Sequence, residues 1–415
     1  MGRPMTNDLM DRNGPATTDY LARFRRKIGV NASSWLEFMQ QHAHDTAALD
    51  REMDNLSRAI KQALAEPTAW EPGLALTGET WRHVETRGYW LAWQEVLDQA
   101  VEVSRQAGRQ ADEAFLLDQL GELARILGDN RRAQEHFDAA LSLSRMIGDR
   151  AGEGHVIVHQ SQIYLALGDL AAALTCCEQA ASIFEAFNDA DNLAIAHNNW
   201  GIVLLEQGAP EDAMAHFELA ATGFERSGNR RGLAKALGSQ GEAYRHMIRW
   251  DEAMTCYQQA IAIDEEIGHE VQAARTRMNL GILCHEQGRH EEALALHMAV
   301  EPLFRRLGDR PHLARVYNNV GVFLAALGRW DEFQAAFDSA VSLHLEADDL
   351  PRAAHTLTNS AEHLLDQKLI NEASDYLDRA YTLLDTLPSP PDYLLRDWEL
   401  QSQRLETMLA AQPAN

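Results

Sequence analysis

Five columns of small residues recur along this chain at a spacing of 40, and that period limits the fold more than any other feature. Gly201, Gly241, Gly281 and Gly321 form the first column; steps of 40 outward reach Ser161 and Gly121 on one side and Ala361 on the other. A second runs through Gly88, Gly128, Gly168, Gly208, Ile248, Gly288 and Gly328. A third holds Ala133, Ala173, Ala213, Ala253, Ala293, Phe333 and Ala373. A fourth holds Ala100, Ala140, Ala180, Ala220, Ala260, Val300, Ala340 and Ala380. The fifth is Gly108, Gly148, Asn188, Gly228, Gly268, Gly308 and Asp348. Columns in phase over most of 415 residues describe an array of like units, each too small to bury its apolar face alone.

Each column has a physical task. Apolar residues at helical spacing lie on both sides of the second column, so a unit is two helices, A and B. The second-column glycine ends helix A in a left-handed turn, and the fifth column does the same after helix B. The first-column residue in helix A and the third-column alanine in helix B let the two backbones approach. The slot sixteen residues after the small residue holds Phe137, Cys177, Phe217, Tyr257, His297, Phe337 and Leu377, a mostly bulky core position.

The stretches "NLGILCHEQGRHEEALALH" and "SQGEAYRHMIRWDEAMTCYQQA" carry the pattern W-x2-L-G-x2-Y, then A-x3-F, then A. This resembles the tetratricopeptide repeat (TPR). The 40-residue length and missing late proline resemble the long-helix subclass of kinesin light chains, spindle-orientation adaptors and the sensor arms of STAND-type signalling ATPases. The resemblance implies an all-α, right-handed superhelix (α-solenoid) of seven to eight helix-turn-helix repeats. Repeats begin near 71, 111, 151, 191, 231, 271, 311 and 351 of an array spanning 71–387. A helical cap is expected over 17–70, a capping helix over 388–412, and disordered ends at 1–16 and the last few residues.

Glu52, Asn55, Leu56, Trp81, Arg87, Gly88 and Tyr89 resemble the junction between winged helix and helical arm in STAND regulators. The chain departs from that family in carrying no G-x-x-x-x-G-K-[ST] stretch. What the junction implies is a detached sensor arm that acts on a separate ATPase or transcription factor.

Asparagine returns two residues before the small residue, at Asn199, Asn279, Asn319 and Asn359, although it costs a helix roughly 0.5–0.7 kcal/mol against alanine. Asn198 and Asn318 sit beside two of them. In peptide-binding TPR proteins, which this chain resembles, asparagine at this slot grips a ligand's backbone or terminal carboxylate. Six before the small residue stand Lys235, Arg275, Arg315 and His355, and Arg245 lies four after Gly241. Amides beside cations on the inner face of the superhelix suit an extended peptide with acidic side chains or a free C-terminus. The same residues also suit a structural role: the amides cross-linking neighbouring helices, the cations pairing with Glu122, Glu242 or Glu286. Four amide contacts at about 0.5–1.5 kcal/mol each fall short of the roughly 8 kcal/mol of a micromolar complex, so side-chain pockets must add to them.

Other chemistry finds little support. His155 and His159 are spaced i, i+4 without a third ligand, and "CHEQGRHEEALALH" sets His285 and His290 five apart across a glycine, which no zincin does. Cys176, Cys177, Cys256 and Cys284 form no metal pattern, and packed thiols in a reducing cytosol are expected. No metal, cofactor or catalytic residue is expected. A net charge of −25 disfavours nucleic acid and anionic membrane surfaces, and no run of eighteen apolar residues occurs. The start of the chain lacks the apolar core of a signal peptide, and Arg3 and Pro4 make Met-Gly a poor myristoylation match. The expectation is therefore a cytoplasmic, non-enzymatic protein-interaction module whose concave groove binds a partner's peptide segment. Self-association is open to it, and a small-molecule sensor arm is the alternative.

Overall fold

The computed structural model describes residues 15–43, 45–387 and 390–411. The disordered ends expected from the sequence fall outside these residues up to position 14 and after position 411. All regular structure among the described residues is α-helical, and the architecture is an α-solenoid of helix-turn-helix units. The chain divides into two units, one ending at Val203 and one beginning at Leu204.

In the first unit, α1 (Pro15–Gln41) and α2 (Thr46–Leu64) pack on each other and on α3 (Trp70–Arg87), which is followed by α4 (Trp90–Gln106). Asp50 of α2 ties this corner together. Its carboxylate accepts from His83, from Arg87 at 2.6 Å and from the Tyr89 hydroxyl at 3.0 Å. The hairpins α5 (Gln110–Ile126) with α6 (Asn130–Ile147) and α7 (Arg150–Ala166) with α8 (Leu170–Phe187) come next, then α9 (Ala190–Glu206), which carries the boundary between units.

The second unit continues with α10 (Pro210–Ser227). Three hairpins follow: α11 (Arg230–His246) with α12 (Trp250–Glu266), α13 (Glu270–Glu286) with α14 (His290–Leu307), and α15 (Arg310–Ala326) with α16 (Trp330–Glu346). It ends with α17 (Leu350–Asp366), α18 (Ile370–Thr386) and α19 (Asp392–Ala410), the last packed on both members of the preceding pair. The odd-numbered helices from α5 to α17 are the A helices.

Two residue columns explain each other. A Cβ added at Gly121 would lie 2.4 Å from the ring of Phe137, and one at Gly321 would lie 2.4 Å from that of Phe337. Gly241 and Gly281 stand in the same relation to Tyr257 and His297. Helix A is therefore glycine where the facing core slot holds a ring, and Ser161 appears where that slot holds the smaller Cys177. The alanines at 133, 173, 213, 253 and 293 are wholly buried, as close packing of A on B requires. The turns behave as the columns predict: Gly128, Gly168 and Gly288 have φ between +77° and +88°. Asn188, Ile248, Asp348 and Lys368 adopt the same left-handed geometry without being glycine. Asp129, Asp149, Asp169, Asn229, Asp309 and Asp349 cap the helices that follow.

Three ion pairs close successive hairpins of the second unit at one register: Arg230–Glu266, Glu270–Arg306 and Arg310–Glu346. Their polarity reverses in the middle pair.

Candidate functional site

The register singled out in the sequence places Lys235, Arg275, Arg315 and His355 on four successive A helices of the second unit, α11, α13, α15 and α17. Lys235 and Arg275 are half-buried, while Arg315 and His355 are exposed. Among the described residues no carboxylate lies within ion-pair distance of Arg315. Its guanidinium is open to water yet hemmed in by protein, and this loss of hydration lowers its pKa from the usual arginine value. Glu242 on α11 and Asp309 act on it electrostatically in the opposite sense, without outweighing that loss. Arg275 and Arg315 also share a neighbour. Both press on the imidazole of His312, whose pKa burial above all pushes down to about 4.

The amide column lies alongside. Asn279, Asn318, Asn319 and Asn359 are half-buried on the same helices. Asn319 donates from Nδ2 to Nε2 of His297 across 3.1 Å. His355 faces the ring of Tyr393, with centroids 6.5 Å apart.

Three of the residues picked from sequence are placed differently. Asn198 is completely buried and Asn199 is 3 % exposed, so neither reaches solvent. Asn199 instead points its amide nitrogen at the Val158 carbonyl and the Ser161 hydroxyl of the preceding repeat, each 3.4 Å away. Here the cross-linking role, open at the sequence level, is the one realised. Arg245 is occupied as well: it pairs with Glu242 on its own helix and with Glu286 on α13. Burial works against the Glu242 carboxylate's charge, but hydrogen bonds from Arg245 and from the Tyr257 hydroxyl, at 2.6 Å, hold its pKa below the usual range.

The sequence reading picked out His155, His159 and Glu122 but missed the polar cluster they form with Asp118 and Arg125 on the A helices of the first unit. His159 of α7 bonds Asp118 of α5 at 2.8 Å, and Arg125 pairs with Glu122 beside it. Burial disfavours the charged His159 ring, but the Asp118 carboxylate outweighs it and raises the pKa to about 9. His155, one turn away, is pushed the other way by burial and by His159. The signal was present: Asp118 and His159 are polar residues 41 apart, the offset at which one A helix meets the next. Tyr257 and His297 were equally visible, as the two polar-tipped rings in an otherwise apolar or thiol column.

All four cysteines are buried and unpaired. Among the described residues no three His, Cys, Asp or Glu side chains gather as a metal site, and no helix is long and apolar enough to cross a membrane.

Three stretches of the chain, 156–226, 232–306 and 312–386, match the family described as Tetratricopeptide repeat, and together they span more than half of its length. No curated protein sequence matches it. Solved structures of similar fold include a Rap protein complexed with Competence and Sporulation Factor. That likeness has 13% identity and a TM-score of 0.59, and covers 92% of this chain and 99% of the other. A chain of the APC/C hetero-tetramer Cut9-Hcn1 is similar at 15% identity and a TM-score of 0.57, over 86% and 60% of the two chains. The apo quorum sensor NprR from B. thuringiensis is similar at 15% identity and a TM-score of 0.52, over 87% and 99%. The shared period, the hairpin geometry and the matched stretches agree: the chain belongs to the tetratricopeptide repeat family.

Proposed function

We propose that the helix A face of the second unit binds an extended, acidic peptide segment of a partner protein, without catalysis. The observation that carries this reading is Arg315, an exposed guanidinium with no carboxylate at ion-pair distance among the described residues, in line with Arg275 and His355. An unanswered cation in a chain of net charge −25 is poised for an anion from outside. Asn279, Asn319 and Asn359 supply backbone-directed donors and acceptors along the same path. Asn198, Asn199 and Arg245 are engaged or enclosed and stay outside the binding role. Use of the fold for regulatory recognition has precedent in the Rap protein complexed with Competence and Sporulation Factor and in the quorum sensor NprR. By analogy, the proposed role here is that of an adaptor or signal-responsive arm working in the cytoplasm.

Panning a random dodecapeptide phage library on the full-length chain tests the reading. Enriched peptides should be rich in Asp and Glu, and their affinity should fall with added salt. Arg315→Glu should weaken them by about tenfold or more. Enrichment of neutral or basic peptides, or equal binding by Arg315→Glu, would refute it.

A further inference from the structure

Tyr257 and His297 are the two polar-tipped rings in the core slot that elsewhere holds Phe137, Phe217 and Phe337. Both are fully buried, and each tip reaches a residue of the helix A face: Tyr257 donates to Glu242, and His297 meets Asn319. The protonation of His297 follows from its other nitrogen. Nδ1 lies 3.2 Å from the Ala293 carbonyl oxygen, which only accepts, so Nδ1 carries the hydrogen. Burial keeps the ring neutral, with its pKa pushed down to about 4. Nε2 therefore holds a lone pair and accepts from the Asn319 amide nitrogen. That bond decides which end of the amide faces the core, and Oδ1 is left on the other side.

We propose that His297 is a positioning residue that locks the Asn319 amide from the core, so that the helix A face offers a carbonyl acceptor beside the guanidinium donors of Arg315. The two residues are four apart on α15 and share one face. An acceptor next to a cation fits a carboxylate with an amide N–H close by, as an acidic residue within a peptide provides. Inorganic phosphate brings the anionic charge but no amide N–H at a fixed distance from it for Oδ1. The choice of ligand rests on the peptide-binding function proposed above; the orientation of Asn319 does not.

The orientation is tested by NMR on the full-length chain labelled with 15N-histidine, with His297 assigned by its loss in His297→Phe. A protonated Nδ1 and a bare Nε2 whose resonance moves in Asn319→Ala are expected. A protonated Nε2, or no response to Asn319→Ala, overturns the proposal. The ligand is tested with a fluorescein-labelled, C-terminally amidated (Glu-Gly)5 peptide, with inorganic phosphate as competitor. His297→Phe should bind the peptide about three- to tenfold more weakly at unchanged melting temperature. His297→Gln, which keeps an acceptor, should recover most of the loss. The phenylalanine variant has room to fold, because Gly281 faces this slot as Gly121 and Gly321 face Phe137 and Phe337. Equal peptide affinity in His297→Phe, or displacement by phosphate as effective as by unlabelled peptide, overturns the ligand assignment. If the unmodified chain binds no peptide, the peptide-binding function falls, and the histidine spectrum alone decides the positioning role.

Discussion

Asn199 and Asn319 occupy one register of helix A, and their surroundings give them different work. Asn199 spends its amide on the preceding repeat, so Asn199→Ala should cost about 0.5–1 kcal/mol in urea unfolding and leave peptide binding unchanged. Asn319 bonds His297 and still leaves an oxygen for a ligand, so Asn319→Ala should cost a similar amount in unfolding and also weaken peptide binding. The sequence showed the column but not this division, because an amide's partner, a side chain for Asn319 and a backbone carbonyl for Asn199, lies 22 or 41 positions away. Ile248 makes a second point at this scale. It holds φ at +59° in a turn where most repeats carry glycine, and its side chain is 68 % exposed. A β-branched residue pays for that conformation and gains little burial in return. Ile248→Gly should stabilise the chain by about 0.5–1 kcal/mol after the added freedom of the unfolded glycine is subtracted, which thermal unfolding can check.

Helices were legible because their ends are written in residues whose conformations are restricted. The second and fifth columns predict left-handed turns, and Gly108, Gly148, Gly228, Gly268 and Gly308 all adopt them. Charge partners were only half legible: for Arg245 a groove role and pairing with Glu242 or Glu286 both stood open, and α13 brings Glu286 against it. At the C-terminal end, α19 does what a terminal element of an array must do. Leu394 is buried, and the Trp398 ring packs tilted against Tyr381, with centroids 5.0 Å apart, while its indole nitrogen donates to the Leu377 carbonyl at 3.0 Å. Trp398→Ala should cost about 1–3 kcal/mol. Because repeats are stabilised by their neighbours, hydrogen exchange should speed up in α17 and α18 before it does elsewhere.

At the scale of the molecule, individual histidines respond to opposite ends of the pH range. His297 and His312, in the second unit, have folded-state pKa values near 4, below the ordinary value of about 6.5. The unfolded chain takes up their protons first, so stability falls as pH drops from about 6.5 to 4 and is unaffected above that window. His159, in the first unit, has its pKa raised to about 9 by Asp118. Its contribution is complete below about 6.5 and is lost as pH rises through 9. Each is of the order of 2–3 kcal/mol, and less for the partly open His159. Urea unfolding at pH 4.5, 7 and 9.5 should show a maximum near neutrality, with the acid limb shallower in His297→Phe.

A chain built of near-copies must also tell one copy from the next while it folds. The three clips that close the hairpins of the second unit bear on this, although exposed pairs of their kind add only a few tenths of a kcal/mol each. If α11 closed on α14 instead of α12, Arg230 would meet Arg306; if α13 closed on α16, Glu270 would meet Glu346. The alternating sign would act as an address, weighing by a similarly small amount against a hairpin that skips a repeat while leaving the correct one to close.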